Sequence, residues 1–233
     1  MAKPPPVASV RRAESRLARL LAGRRCYGGL DLASRLDTTA FALCFPPDPD
    51  EALPAWLRDR YAILCWHWLP ETVGNERRDK VPYLVWRDQG WLTLTPGNVC
   101  DYETIENDVV ALKDQYRIQE IGFDPWNAEG PTQNLERRGI RRTEISQQVA
   151  KLTHASKELE KLIVSGGLVH DNNPILDWQI GNCDVHTDTN GNIKPKRPEH
   201  GDFRTIDGVA ACVMALDRAI RAPRPAKGDL LIC

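Results

Sequence analysis

The sequence predicts a mixed α/β sheet flanked by helices, and three observations carry that reading. Apolar runs at 26–34, 38–45 and 61–69, separated by polar connections, read as three antiparallel strands. Beyond residue 100 helical periodicity alternates with short apolar runs, the pattern that adds strands and covering helices to a sheet. A chain of 233 residues with 42% hydrophobic content can bury one sizeable core.

Residues 1–10 are rich in proline, and Arg11 to Ala22 reads as a short basic amphipathic helix stopped by Gly23. Residues 1–25 are therefore expected to form an arm, 26–222 the folded domain, and the Pro-rich 223–233 a tail. After the first two strands comes a loop at 46–54 rich in proline and aspartate, and the third strand carries Trp66 and Trp68 on one face with His67 on the other. Pro70 to Pro82 mixes charges with turn residues and reads as a mobile excursion. Trp91 to Thr95 is a short strand. Tyr102 to Tyr116 is a helix with apolar positions at 105, 109, 112 and 116. A strand ending at Asp124, a helix near 128–138, a short strand near 140–145 and a helix from Ser156 to Ser165 follow. Pro174 to Cys183 is helical, the Asn190-Gly191 pair marks a hairpin, and the last helix runs from Ile206 to about Arg221.

Bulk charge decides little. The 31 basic and 32 acidic residues leave a net charge of −1, so any polyanion contact must come from a local basic surface. Seven scattered cysteines without a Cys-x-x-Cys pair read as reduced thiols of a cytosolic compartment, not as a zinc site or a disulfide frame. No long apolar run follows the N-terminal charges, so neither a signal peptide nor a membrane span is expected.

Three carboxylates stand out against this background. Asp31 lies inside the first strand (Tyr27-Gly28-Gly29-Leu30-Asp31), Asp124 ends the strand Ile118–Phe123, and Asp207 opens an otherwise apolar helix. A carboxylate at the edge of a buried element is costly unless it is paired or binds a cation. Each has an ordinary alternative: a turn or cap at Asp31, a strand-end turn before Pro125, a favourable helix N-terminal charge at Asp207. Asp37, followed by Thr38 and Thr39, reads as a turn residue. Taken together, the three acids suit hard divalent ions such as Mg²⁺ or Mn²⁺. Hydrolysis of a phosphodiester is the chemistry for which two such ions, roughly 3.5–4 Å apart, are suited. The clusters Arg137-Arg138, Arg141-Arg142 and Lys194 to Arg197 (with Lys196 between) are candidate phosphate contacts. His170, His186, Asp184, Asp188 and Asn182 read more simply as structural or solvated side chains.

Seven blocks in order carry a family resemblance. They are Gly29-Leu30-Asp31-Leu32-Ala33, Phe123-Asp124-Pro125-Trp126, Ala155 to Glu160, His170 to Leu176, Trp178 to Asn182, Asn190 to Pro195 and Ile206-Asp207-Gly208-Val209-Ala210. In these the chain resembles the C-terminal nuclease half of the large terminase subunit of tailed bacteriophages. The resemblance implies a ribonuclease H-like fold, cleavage of double-stranded concatemeric viral DNA, and Asp31, Asp124 and Asp207 as the metal-binding acids. It further implies a packaging machine with an ATPase domain, small subunit and portal as partners, in the host cytoplasm. The family usually has a lysine before the Ile-Asp pair, where this chain has Thr205, so Arg204, Lys196 or Arg197 becomes the candidate source of that charge. No Gly-x-x-x-x-Gly-Lys-Ser/Thr loop occurs, which is expected of an excised domain or a gene remnant. Two other functions stay open: a junction resolvase of the same fold, and a catalytically silent module that docks a packaging motor. An actin-like sugar kinase lobe is disfavoured, because a second glycine hairpin for phosphate is lacking.

Overall fold

The computed structural model describes residues 15–33, 37–48, 52–198 and 203–222. The Pro-rich segment 1–10 and the tail 223–233 lie outside the described residues. Within the expected arm the helix α1 (Arg16–Leu21) packs into the domain instead of standing apart: Leu17, Ala18 and Leu21 are buried in the same apolar cluster as the first strand.

The strands β1 (Arg25–Asp31), β2 (Thr39–Phe45) and β3 (Tyr61–Pro70) form the expected antiparallel trio. The sheet continues on the far side of β3 with β4 (Leu92–Thr95), and on the far side of β1 with β5 (Arg117–Phe123) and β6 (Arg142–Glu144). The order is β4-β3-β2-β1-β5-β6, and β7 (Leu168–His170) pairs with the start of β3 to complete seven strands. Both β5 and β6 run parallel to β1, so the carboxyl ends of these three strands share one edge.

Each face of the sheet is covered. Helix α5 (Tyr102–Gln115) turns Ile105, Val109 and Leu112 inward, with Tyr116 just beyond its end, as the periodicity predicts; α6 (Pro125–Arg137) adds Ala128 and Leu135. On the other face lie α7 (Val149–Val164), α8 (Pro174–Asn182) and the last helix, here α9 (Asp207–Arg221). Helix α9 has the strongest apolar stripe and buries Val209, Ala211, Cys212, Val213, Ala215, Leu216 and Ala219. The hairpin β8 (Asp184–Thr187) and β9 (Ile193–Lys196) closes as the Asn190-Gly191 pair predicts. Asp188 serves that turn, its Oδ1 accepting from the Asn190 and Asn192 amides at 2.8 and 2.9 Å.

Three further expectations change. Between α2 (Ala55–Arg58) and β4, the supposed excursion at 70–82 contains α3 (Glu71–Glu76) and leads into α4 (Tyr83–Asp88). Val73, Val81, Tyr83 and Trp86 anchor it in a satellite cluster, an apolar content that the intervening charges disguise. The helix expected at Ser156 begins seven residues earlier, at Val149, because Leu152 and Ala155 bury against α9's cluster. The first strand stops at Asp31, three residues short of the expected end.

Candidate functional site

Strand alternation determines which side of the sheet each acid meets. On β1, Cys26 and Leu30 join the α5 face and Tyr27 joins the α9 face, so Gly29 and Asp31, two and four residues on, belong with α9. Gly29 lets α9 settle directly on the strand. A Cβ there would run into the Ala211 carbonyl and the Ala215 nitrogen, both backbone atoms. With Ala211 seated over Gly29, the first turn of α9, where Asp207 sits, lies at the carboxyl end of β1.

Parallel pairing brings in the second acid. Leu30 is in register with Phe123, so Asp31 and Asp124 are the next residues along two adjacent strands, about 4.8 Å apart in the pairing direction. Asp124 is also the N-cap of α6, its Oδ1 accepting the Trp126 amide at 3.1 Å. The third acid is tied down from the other side: the Thr38 hydroxyl, one residue before β2, donates to Asp207 Oδ2.

A fourth carboxylate joins them. Asp37 faces both Asp31 and Asp207 closely enough to raise their affinity for protons. Its oxygens take Arg197 Nη1 at 2.6 Å and Arg197 Nη2 at 3.3 Å, and Arg77 Nη1 lies at 3.7 Å. Burial first, then the charges of Asp207, Asp124 and Asp37, hold the Asp31 carboxyl well above the usual carboxylate range. Asp207 is pushed up to about 6, chiefly by burial and further by Asp37, while bonds from Thr38 and Thr205 and the Arg197 charge pull the other way. The four acids thus form one repelling group. Among the described residues no three His, Cys, Asp or Glu side chains close into a finished ligand set. Asp124 is turned onto its cap and Asp37 onto its guanidiniums. The donors are nevertheless all hard carboxylate oxygens, which fit Mg²⁺ or Mn²⁺ and not zinc.

The basic candidates divide. Arg137, Arg138 and Arg141 lie at the far end of α6, which spans about 20 Å from its start at Asp124, at 1.5 Å per residue. Arg138 there donates to Asn107 Oδ1 at 2.9 Å and Arg137 to Asn134 Oδ1 at 3.1 Å. Arg142 does not serve as a free phosphate contact: it bonds Glu129 at 3.1 Å and Glu136 at 3.0 Å and lies over the Phe123 ring. Lys194 Nζ reaches the Gln147 carbonyl at 3.1 Å, and Lys196 is exposed at the end of β9. Arg197 stands at the carboxylates, while Arg204 is exposed and its carbonyl accepts Arg197 Nε at 2.9 Å.

Sequence reading left two residues out of the site. Asp37 looks like a turn aspartate because its guanidinium partner is 160 positions away. Trp126 follows the Asp124 cap and is 87% exposed, an indole displayed beside the acids.

Comparison with known proteins identifies the family of the chain. The family model described as the terminase large subunit endonuclease domain matches residues 16–222. Protein YmfN of Escherichia coli K12 is 30% identical over 207 residues, covering 85% of this chain and 44% of its own length. The large terminase subunit of Enterobacteria phage HK97 is 28% identical over 200 residues, covering 84% of this chain and 38% of its own. The crystal structure of the HK97 large terminase superposes with a TM-score of 0.72 at 26% identity, over 85% of this chain and 41% of that one. The large terminase nuclease of thermophilic phage G20c, solved with bound magnesium, shares the fold at a TM-score of 0.51 and 15% identity, covering 83% of this chain and 80% of its own. The chain spans less than half the length of the curated relatives it matches.

Proposed function

The chain belongs to the terminase large subunit endonuclease domain family, and from that premise we propose that it is a divalent-metal-dependent endonuclease. Its substrate is the double-stranded concatemeric DNA cut during viral genome packaging. The observation that carries the reading is the convergence of Asp31, Asp124, Asp207 and Asp37 on the carboxyl edge of the sheet, where burial and the neighbouring negative charges raise the Asp31 carboxyl well above the usual carboxylate range. Crevices outside the carboxyl ends of parallel strands are where ligands settle in such sheets.

Asp31, Asp124 and Asp207 hold two Mg²⁺ or Mn²⁺ ions in this reading, with Asp37 available as a fourth donor. The ions supply Lewis-acid polarisation of the phosphate and activation of water. The chain's own groups do the rest. Asp31, central between β2 and β5, would be the most central of the acids that hold them. Arg197 and Arg77 limit the repulsion at Asp37, and the Thr38 hydroxyl orients Asp207. Lys196 and Arg204, both exposed beside the Asp37-bound Arg197, contact phosphates nearest the acids, and the α6 arginines meet the duplex, if at all, about six base pairs farther along. Contacts of this kind position DNA without reading its sequence, so cleavage has low sequence specificity. The ATPase domain, small subunit and portal are the partners of the complete machine, in the host cytoplasm. No helix among the described residues is long and apolar enough to cross a membrane.

Supercoiled plasmid incubated with the protein and Mg²⁺ or Mn²⁺ should be nicked and linearised, EDTA should stop the reaction, and Asp31→Asn should be inert while still folded. Cleavage that persists in EDTA, or in Asp31→Asn at the wild-type rate, would contradict the reading. Branched substrates run beside linear duplex separate it from a junction resolvase.

A further inference from the structure

The block Trp178 to Asn182 puts Gln179, fully buried, on α8 directly under the first turn of α9. Each hydrogen-bonding valence of its carboxamide is used. Oε1 accepts the Gly208 amide at 2.8 Å and faces His67 Nε2 at 3.2 Å. Nε2 donates to the Thr38 hydroxyl at 3.1 Å and to the Thr205 hydroxyl at 2.8 Å. A carboxamide oxygen can only accept, so the His67 proton sits on Nε2. The reversed amide would point its NH2 at the Gly208 N–H, which can only donate, so that bond fixes the orientation.

Two consequences follow for Asp207. The N-cap position of α9 is Ile206, which offers no side-chain cap, so Gln179 Oε1 supplies from another helix the acceptor that an N-terminal amide needs. Both threonine oxygens accept from Gln179 and lie 3.1 Å from each other, so each hydroxyl proton goes either to the other threonine or to Asp207. Thr38 donates to Asp207, and Thr205 bonds the same carboxyl. Neighbouring groups are fitted to this arrangement. A Cβ on Gly208 would run into Gln179 Oε1 and come within 2.7 Å of His67 Nε2. Three residues along α8, Asn182 Nδ2 reaches the Thr205 carbonyl at 3.5 Å, a second tie on the same approach segment.

We propose that Gln179 is a positioning residue for the metal-holding acids: it fixes the first turn of α9 and aims the Thr38 and Thr205 hydroxyls at Asp207. The proposal rests on the reading of Asp207 as a metal-holding carboxylate. Groups that orient a metal ligand typically change metal affinity about 10- to 100-fold when removed.

The test is Mn²⁺ binding to the full chain without DNA, followed by electron paramagnetic resonance, with thermal melts to establish folding. Gln179→Glu is the decisive variant. It keeps size and the acceptor for Gly208 but draws the hydroxyl protons away from Asp207, so it should weaken Mn²⁺ binding about 10-fold or more. Simple charge addition near the site predicts tighter binding, the opposite sign. Thr205→Val should weaken binding and Thr205→Ser should restore it, and combining Gln179→Glu with Thr205→Val should cost no more than Gln179→Glu alone. Thr205→Val is close in volume to the native residue, so the test does not depend on one variant folding. Equal or tighter binding by folded Gln179→Glu, or unchanged binding by Thr205→Val, overturns the proposal and leaves the nuclease reading standing. Wild-type protein that binds no Mn²⁺ overturns both.

Discussion

Replacing Gly29 by alanine tests the contact that places the acidic centre. The new methyl group meets the Ala211 carbonyl and the Ala215 nitrogen of α9, and neither backbone atom can move without the helix. Neighbouring Gly28 provides the control. Its Cβ would come within 2.9 Å of Ile121 Cγ1 and Phe41 Cε2, side-chain atoms that can adjust. At Gly29 the relief is a lift of α9 off β1, which loosens a face built from Val209, Cys212, Val213 and Leu216. A radial gap of about 0.5–1 Å forfeits a quarter to a half of each dispersion contact. Overpacking usually costs about 1–3 kcal/mol, and a backbone obstacle belongs at the top of that range. With about 2–4 °C lost per kcal/mol in a chain of this size, Gly29→Ala should melt about 6–12 °C below wild type. Gly28→Ala should lose about half as much or less. The lift also carries Asp207 away from Asp31, so plasmid nicking should fall at least about 100-fold even well below the melting temperature. Differential scanning calorimetry with a nicking time course measures both. A Gly29→Ala protein that melts within about 2 °C of wild type and cuts at its rate would refute the reasoning that this close approach sets the site.

Other outcomes follow from the same structure. Asp31→Asn should abolish nicking yet raise the melting temperature in EDTA at pH 8, because it removes a carboxyl that burial and three other acids disfavour as an anion; a lower melting temperature would count against the repelling cluster. Trp126→Ala should leave the melt unchanged, since the indole is 87% exposed, and should weaken binding of single-stranded oligonucleotides in a fluorescence-anisotropy titration about fivefold or more, the loss expected for one base–indole stack. Lys196→Gln should reduce the salt slope of DNA binding by about one, whereas Arg137→Gln should change the slope little, and equal slopes would remove the distinction between near and distant cations. For Asp108, burial outweighs the Trp68 indole bond at 2.8 Å and lifts the carboxyl to about 6. The folded state therefore holds its proton more tightly than the unfolded one, so this group's contribution is fully present below 3.8 and is lost as pH rises to about 6. Asp108→Asn keeps an acceptor for Trp68 and should melt higher than wild type above pH 6, with the advantage vanishing near pH 4; an advantage independent of pH would overturn the assignment.

Much of the sheet was legible because its signals are local. The β1–β3 alternation, the α5 spacing and the hairpin pair Asn190-Gly191 depend on neighbours along the chain, and the structure keeps them. Tertiary pairing was not legible. Nothing beside Arg142 in sequence says that Glu129 and Glu136 on α6 will hold it, so it reads as a free cation. Asp37 reads as a turn for the same reason, its Arg197 partner lying on a segment far along the chain. Segment 70–82 reads as an excursion because a composition count weighs all residues alike, whereas in the fold Val73 and Val81, with Tyr83 and Trp86 just beyond, outweigh many solvated charges. Nothing beside Trp126 in sequence marks it as exposed. It is outward here because the Asp124 cap and Pro125 fix the first turn of α6 and leave the next side chain on the open side.

The distribution of compensating groups among the four acids says where added positive charge is needed. Asp37 has Arg197 within 2.6 Å and Arg77 at 3.7 Å, and Asp207 has two threonine hydroxyls with Arg197 close enough to be felt. Asp31 is influenced by Asp207, Asp124 and Asp37, all of the same sign. The deficit therefore centres on Asp31, at the end of the strand that Gly29 brings against α9. A protein selected only for stability would remove that acid or pair it, since an uncompensated carboxylate in a half-buried crevice costs folding energy. Its place in the middle of the repelling group makes sense if a divalent cation is drawn to that point, with the duplex approaching from the open, carboxyl edge of the sheet.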